Sequence, residues 1–479
     1  MVLHPMSVRR SAASLGLATV LGHASQLVWL AAAVRVMPAA DFGTVLAAQA
    51  LYAVLQVIVD VGTNGVGARM AARSELGDQQ RGQILRMRLA LALGAAPIAL
   101  ALGAAGVSGS FAATLPFVVA LGLFAALNVW EPYGSGDARP WATYTFARSG
   151  VLAAVACAFL VAGARFPVAL AGILECSAII VTMFLFGRAP LASLRLGAGA
   201  RGGPWRSVVA IGGPACIAQS SMAAGTLVLS AAGSPARAGV FAACVRLLTG
   251  VNAINGVVAA SLYPRFARGA AEGSDDRRVV TVALGVIAVV AAGATATGAF
   301  FGGPLAVAFL GGSTTASIAA LVLTLAVALP LGNIVMFTLL MVARGHERVT
   351  LLPYALGGPL TAALAIAAVV VAGARVDLAA ISLLVGQLVT MAGLGLRVRA
   401  TCPDIAPATD RSMALALLVG LLACASLLPG GTVPAGLGLF ALVGVLSARL
   451  RPLAGSLPGD LWRGRRRRGS PRTEDHHEP

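Results

Sequence analysis

A chain whose apolar residues fall into about fourteen separate runs, each near the length of a membrane-crossing helix, has few folds open to it. The runs lie at roughly 11–36, 43–67, 84–106, 114–131, 142–163, 168–187, 207–232, 239–262, 279–300, 315–342, 350–372, 379–396, 412–428 and 435–450, joined by brief connections. Hydrocarbon offers the backbone no partner, so each run is predicted to satisfy its own amides as a helix. Composition agrees. Of 479 residues, 58% are hydrophobic and only 11% charged, with a mean hydropathy of +0.87, too little charge for the surface of a soluble domain this large. Arg9-Arg10 ahead of an apolar stretch holding Ala31-Ala32-Ala33 imitates a secretory signal. The stretch is long for one and carries His23 and Gln26, so it is read as the first span. The expected fold is an all-α polytopic membrane protein.

Charge placement gives the topology. The net charge of +17 comes from arginine, since the chain contains no lysine. A nucleic-acid role does not follow, because the arginines sit between apolar runs. With the N-terminus inside, Arg69, Arg73, Arg81, Arg86, Arg88, Arg139, Arg148, Arg188, Arg195, Arg201, Arg206, Arg277, Arg344, Arg348 and Arg399 share one side, while the opposite loops hold Arg35, Arg165, Arg237 and Arg375. That bias predicts cytoplasmic termini and a bacterial inner-membrane location. The tail carries Arg463 and Arg465 to Arg468, followed by Glu474, Asp475, His476 and His477. It reads as a solvated topology anchor or as a contact with anionic headgroups, at about 1 kcal/mol per arginine near the surface. The six cysteines lack ligand spacing, and five lie inside apolar runs, so they are expected to be small packing residues.

A weak internal repeat sets the architecture. An offset of 196 residues brings Ser11 onto Ser207, Gly16 onto Gly212, Gly43 onto Gly239, Ala47 onto Ala243 and Arg81 onto Arg277. It also lays span on span and loop on loop. Six spans per copy return each half in the same orientation, so the halves should be related by an axis along the membrane normal. The expected organisation is a six-helix lobe over 1–196, a second over 197–400, two appended spans over 401–450 and a cytoplasmic tail over 451–479.

Polar residues inside the spans mark candidate function. Gln49, Gln56, Asp60 and Asn64 on the second span are spaced to lie along one helical face. An ionised Asp near the bilayer centre costs roughly 2.5–3.5 kcal/mol, so the stripe should face protein or water. Asp60 is expected to pair with an arginine, to be a protonatable coupling site, or to pack helices. Arg246, about two turns into the eighth span, either meets an anion in a central cavity or pairs structurally across the lobes. Arg148 near the end of the fifth span reads as a cavity or a boundary arginine. Glu175, alone among apolar neighbours in the sixth span, must be protonated or paired. His23 and Gln26, three apart on the first span, either line the cavity or are satisfied locally. Asn252, Asn255 and Asn333 read as helix-packing amides. No Walker sequence or catalytic constellation is present and the outer loops are short, so no enzymatic role and no cofactor are expected, with a proton or sodium gradient as the energy source.

PAADFG at 38–43 with Asp60-Val61-Gly62 and Arg69, then Gly239-Val-Phe241-Ala-Ala-Cys244-Val-Arg246-Leu247 and Tyr263-Pro264, form one set of motifs. Ala328-Leu-Pro330-Leu and Ala343-Arg344-Gly345-His346-Glu347-Arg348 follow. Over roughly 8–397 these resemble the polysaccharide-export (O-antigen type) flippases of the multidrug/oligosaccharidyl-lipid/polysaccharide exporter superfamily. The resemblance implies a two-lobed transporter that turns an undecaprenyl-pyrophosphate-linked oligosaccharide to the outer leaflet. Polysaccharide polymerase or glycosyltransferases would be its partners. Unlike many relatives, the seventh span, GTLVLSAAG at 225–233, carries no ionisable residue. Two other readings stand beside it: a cation-coupled multidrug antiporter of the same superfamily, and a non-transporting scaffold for envelope synthesis.

Overall fold

The computed structural model describes residues 5–64, 67, 70, 77–127, 139–186, 205–272, 277–312, 314–425, 427–428 and 431–455. Arg69, Arg73, Arg188, Arg195, Arg201 and the arginine-rich tail lie outside them, as do the side chains of Arg206, Tyr263 and Pro264. The described residues form fourteen helices: α1 (Pro5–Val36), α2 (Ala39–Asp60), α3 (Asp78–Ala104), α4 (Phe111–Ala126), α5 (Arg139–Val161), α6 (Leu170–Phe186), α7 (Trp205–Ala231), α8 (Pro235–Glu272), α9 (Arg277–Leu310), α10 in two segments (α10a, Thr315–Ala326; α10b, Ala328–Ala343), α11 (Leu351–Ala372), α12 (Val376–Thr401), α13 (Ala406–Ala425) and α14 (Thr432–Gly455). Eleven spans are long and apolar enough to cross a membrane, with α4 and α6 as shorter apolar helices.

Local chemistry places the ends. Ser110 caps α4 by accepting the Ala113 amide at 3.2 Å, and Thr314 caps α10a by accepting that of Ser317 at 3.1 Å. The tenth span breaks at Val327, where the last turn tightens through the Val327 N–H to Thr324 carbonyl bond. Pro330 just beyond has no N–H to continue the ladder. Two expectations need correction. The second span does not run to 67 but ends at Asp60, and the last two spans are longer than the ranges 412–428 and 435–450, at 20 and 24 residues. Polar positions such as Thr409, Asp410 and Arg411 are helical there, which an apolar window passes over.

Packing repeats along the chain. In the first set α1 lies on α5, α3 on α4, and α4 and α5 on α6; in the second α7 lies on α11, α9 on α10a, and α10a and α11 on α12. This is the pattern of two six-helix lobes in parallel repeat, with the first lobe's core continuing into Ala243 and Cys244 of α8 and Leu321 of α10a. Alanine and glycine suit it, because small side chains let helix backbones approach.

The last two helices are more than an appendage. Ala416, Val419 and Ala423 of α13 and Leu439 of α14 belong to the second lobe's core. The Ser412 hydroxyl donates to Asn333 Oδ1 at 2.8 Å, and Asn333 Nδ2 donates back to the Ser412 carbonyl at 3.4 Å. Asn333 is fully buried. Ser412→Ala should therefore cost about 1–3 kcal/mol by leaving a buried acceptor unmet, read as a lower unfolding midpoint in detergent with the helix content unchanged.

The lobes meet along α2 and α8. At the end where both helices begin, a Cβ on Gly43 would sit 1.7 Å from the Pro235 carbonyl oxygen, and one on Gly239 would sit 2.8 Å from the Gly43 Cα. The two repeat-related glycines thus press backbone on backbone. Nearby, Arg35 of α1 donates to the Ala308 carbonyl of α9 at 3.3 Å. At the opposite end α2 meets α7. Val61 is left-handed (φ 35°) and Gly62 follows at φ 86°, a turn unusual for a β-branched residue and costing on the order of 1–3 kcal/mol. It lets Gly62 come against Gly212 and Val208 of α7, while Cys216 Sγ lies 3.4 Å from the Val57 carbonyl. The repeat would place a matching contact between α1 and α8. Val20 and Val257, the counterparts of Cys216 and Val61, are 56% and 46% exposed, although α1 and α8 pack on each other elsewhere along their length.

Candidate functional site

The site is assembled on α2. Gln49, Tyr52 and Gln56 are three and four residues apart, so they share one face, and each is engaged by a different helix. Gln49 accepts a hydrogen bond from Arg246 of α8. The Tyr52 hydroxyl donates to Glu175 Oε1 of α6 at 3.1 Å. Gln56 Nε2 donates to the Tyr144 hydroxyl of α5 at 2.8 Å, while its Oε1 lies 3.4 Å from Arg148 Nη1.

Two charged groups anchor this network. Arg148 Nε meets Glu175 Oε2 at 2.9 Å, and the Tyr144 hydroxyl donates to Glu175 Oε1 at 3.0 Å. The guanidinium lies over the Tyr52 ring, 5.6 Å from its centroid. Glu175 is buried (6% exposed), so of the two readings the paired one holds. It is not alone, because α2 and α5 bring three polar groups to it. Arg148 is more than a boundary residue. Its side chain stays 29% exposed against 7% for Glu175.

Arg246 comes from the other lobe. It lies about three turns into α8, deeper than expected because the helix begins at Pro235. Its guanidinium stacks 5.3 Å over the Trp29 ring of α1 while it donates to Gln49. Both readings of this arginine are therefore realised in part, since it bridges the lobes yet remains only half-buried. It is close enough to Arg148 and Glu175 for both charges to act on it. A charged edge open to hydrocarbon costs several kcal/mol, so the uncovered parts of both guanidiniums should meet water rather than lipid.

The remaining candidates separate from this cluster. Asp60 closes the end of α2: its Oδ1 accepts from the Thr63 hydroxyl at 2.8 Å and from the Asn64 amide at 3.0 Å. Its carboxylate is near enough to the Arg88 charge to act on it, without an ion pair between them. Asn64 is not on the helical stripe, because the left-handed turn at Val61 ends the helix first. His23 and Gln26 are half-buried and within hydrogen-bonding reach of each other, with no bond to the arginine cluster. Asn255 donates to the Ala328 carbonyl at 3.2 Å, a helix-packing role.

Sequence reasoning missed Tyr52, Tyr144, Trp29 and Arg88. Tyr52 stood within the Gln49–Gln56 spacing, and Tyr144 stands one turn before Arg148, so periodicity around the marked residues would have found both. Arg88, expected in a loop, is buried in α3 and donates to the carbonyls of Phe124 and Leu127 at 2.9 and 3.1 Å. It caps the end of α4. Among the described residues, no three His, Cys, Asp or Glu side chains group as a metal site.

Solved structures that share this fold include transporters. An outward-facing multidrug resistance MATE family transporter of the MOP superfamily shares 16% identity, with a TM-score of 0.57 over 85% of this chain and 96% of its own. The lipid II flippase MurJ, inward closed, shares 11%, also with a TM-score of 0.57, over 91% of this chain and 98% of its own. A MOP superfamily transporter from Pyrococcus furiosus, described by the reverse polarity of its binding pocket, shares 16% with a TM-score of 0.54 over 85% and 96%. No family model and no curated protein matches the sequence. The likeness establishes the fold: a multi-pass, all-helical membrane protein built like transporters of the MOP superfamily.

Proposed function

We propose that the protein flips an undecaprenyl-pyrophosphate-linked oligosaccharide across the bacterial inner membrane by alternating access. The observation that carries the reading is an arginine from each lobe, Arg148 and Arg246, brought to one interior site with its charge partly open. A diphosphate cannot cross hydrocarbon unaided, and guanidinium groups match its oxygens. Each carboxylate near the site is already engaged, Glu175 by Arg148 and Asp60 by its own turn. That favours an anionic over a cationic substrate.

The exposure of Val20 on α1 and Val257 on α8 fits the same reading. A looser seam on the side where α2 meets α7 would let a polyprenyl chain stay in lipid while its headgroup enters. On the orientation expected from the arginines, that side is cytoplasmic, as are both termini. Coupling to a proton or sodium gradient belongs to the proposal, as does the service of the carrier-linked product to a polymerase outside. The second reading, an antiporter of organic cations, draws on the MATE likeness. It would need a carboxylate free to receive the cation.

The test is genetic. Deletion of the gene should abolish a surface polysaccharide and strand its lipid-linked unit on the inner leaflet. Wild type should restore it and Arg246→Ala should restore it at least tenfold less at equal membrane levels. Unchanged polysaccharide in the deletion would remove this reading, and a shift in drug susceptibility alone would favour the second.

A further inference from the structure

Glu175 holds Arg148 in an unusual way. A carboxylate that only neutralises an arginine gains most from two parallel bonds to the guanidinium fork. Here the closest approach is Oε2 to Nε, the nitrogen nearest the backbone, at 2.9 Å. The other oxygen is taken by two hydroxyls, those of Tyr52 at 3.1 Å and Tyr144 at 3.0 Å. With Oε1 occupied, Glu175 makes no hydrogen bond to the terminal nitrogens among the described residues. Nη1 has only the long 3.4 Å approach to Gln56, and Nη2 makes no bond to the described protein. The Tyr52 ring beneath the guanidinium keeps its plane in place.

We infer that Glu175, locked by Tyr52 and Tyr144, is a positioning residue that turns the terminal nitrogen edge of Arg148 toward the space between the lobes, to grip two oxygens of one phosphoryl group. The inference rests on the anion-binding reading above and adds to it how the site chooses. Arg148 is presented in a set plane, fit for a tetrahedral oxyanion, and is more than one of two loose charges. It also explains why so costly a buried group sits beside a site meant for anions. By net charge alone Glu175 would repel the substrate. By geometry it makes the neighbouring cation usable.

The opposite signs of these two effects make the test sharp. The full-length protein in lipid nanodiscs is titrated with farnesyl diphosphate, with unfolding midpoints recorded in parallel. Wild type should bind. Glu175→Gln, which removes the repelling charge, should bind at least tenfold more weakly if positioning is its role. Binding that is equal or tighter overturns the inference. The double change Tyr52→Phe with Tyr144→Phe leaves every charge and both rings in place and frees Oε1 to close on the fork, so it stands in where Glu175→Gln fails to fold. It too should weaken binding severalfold, and unchanged affinity overturns the inference. The exchange Arg148→Glu with Glu175→Arg separates structure from recognition: the pair should recover much of the unfolding midpoint lost in Arg148→Glu alone, and not the binding. If the exchanged protein binds like wild type, Glu175 is only a counter-ion. Failure of wild type to bind the diphosphate would instead remove the anion-binding reading and this inference with it.

Discussion

Gly43→Val should open the seam between the lobes and lower the stability of the folded protein by on the order of 2–3 kcal/mol or more. The new Cβ would lie 1.7 Å from the Pro235 carbonyl oxygen and 2.4 Å from its carbon. Both are backbone atoms, so no rotamer change relieves the clash, and overpacking of this kind costs about 1–3 kcal/mol even where side chains can yield. The Pro235 carbonyl belongs to the first turn of α8, so the relief available is movement of one lobe against the other. Gly94 on α3 is the matched control, since nothing lies within 4 Å of a Cβ built there. Unfolding midpoints in detergent should drop by several degrees for Gly43→Val and little for Gly94→Val. In cells the seam variant should fail to complement a deletion while reaching the membrane. Equal midpoints for the two would mean that the lobes do not close on these glycines.

Arg148→Ala should be the most damaging single change to the interior site. It leaves the Glu175 carboxylate 6% exposed, with two tyrosine hydroxyls and no cation. Removing one partner of a buried pair costs about 3–5 kcal/mol. The lower end applies here, because the Arg148 side chain is 29% exposed and water already screens part of the interaction. Replacing both partners, as in Arg148→Met with Glu175→Leu, should recover most of the stability and none of the proposed activity. Arg399→Ala provides the contrast. Its contact with Asp410 is 3.8 Å long, with side chains 63% and 47% exposed, so its loss should change stability by less than about 0.5 kcal/mol. Denaturant titration of the three variants orders them directly. An Arg148→Ala protein as stable as wild type would show that water already solvates Glu175.

The long-range pairings explain which parts of the site were legible. Gln49 and Gln56 were marked correctly as one face, because helical periodicity is local and survives any tertiary arrangement. Asn64 was misplaced on that face, because the left-handed turn at Val61 is held by contacts with Gly212 and Val208 about 150 residues away in the chain. Glu175 looked solitary because its partners Arg148, Tyr144 and Tyr52 lie 27, 31 and 123 residues distant. No local rule pairs residues at such separations. Arg246 and Gln49 are 197 residues apart, close to the repeat offset. The repeat itself was legible, and its physical meaning appears where Gly43 and Gly239 touch. Arg88 shows the reverse case. Counting it as a loop arginine suited the topology, yet the open end of α4 drew it into the interior.

By itself the sequence determined the helical class, the fourteen helices and the parallel repeat, because hydrocarbon forces every apolar run to satisfy its own backbone. It also marked most of the polar residues that hydrocarbon would penalise. Only the tertiary structure decided which of them meet: the tyrosines that hold Glu175, the partial exposure of Arg148, and the reach of Arg246 across the lobes. Those are choices of packing between helices, made by shape and by charges distant in the chain.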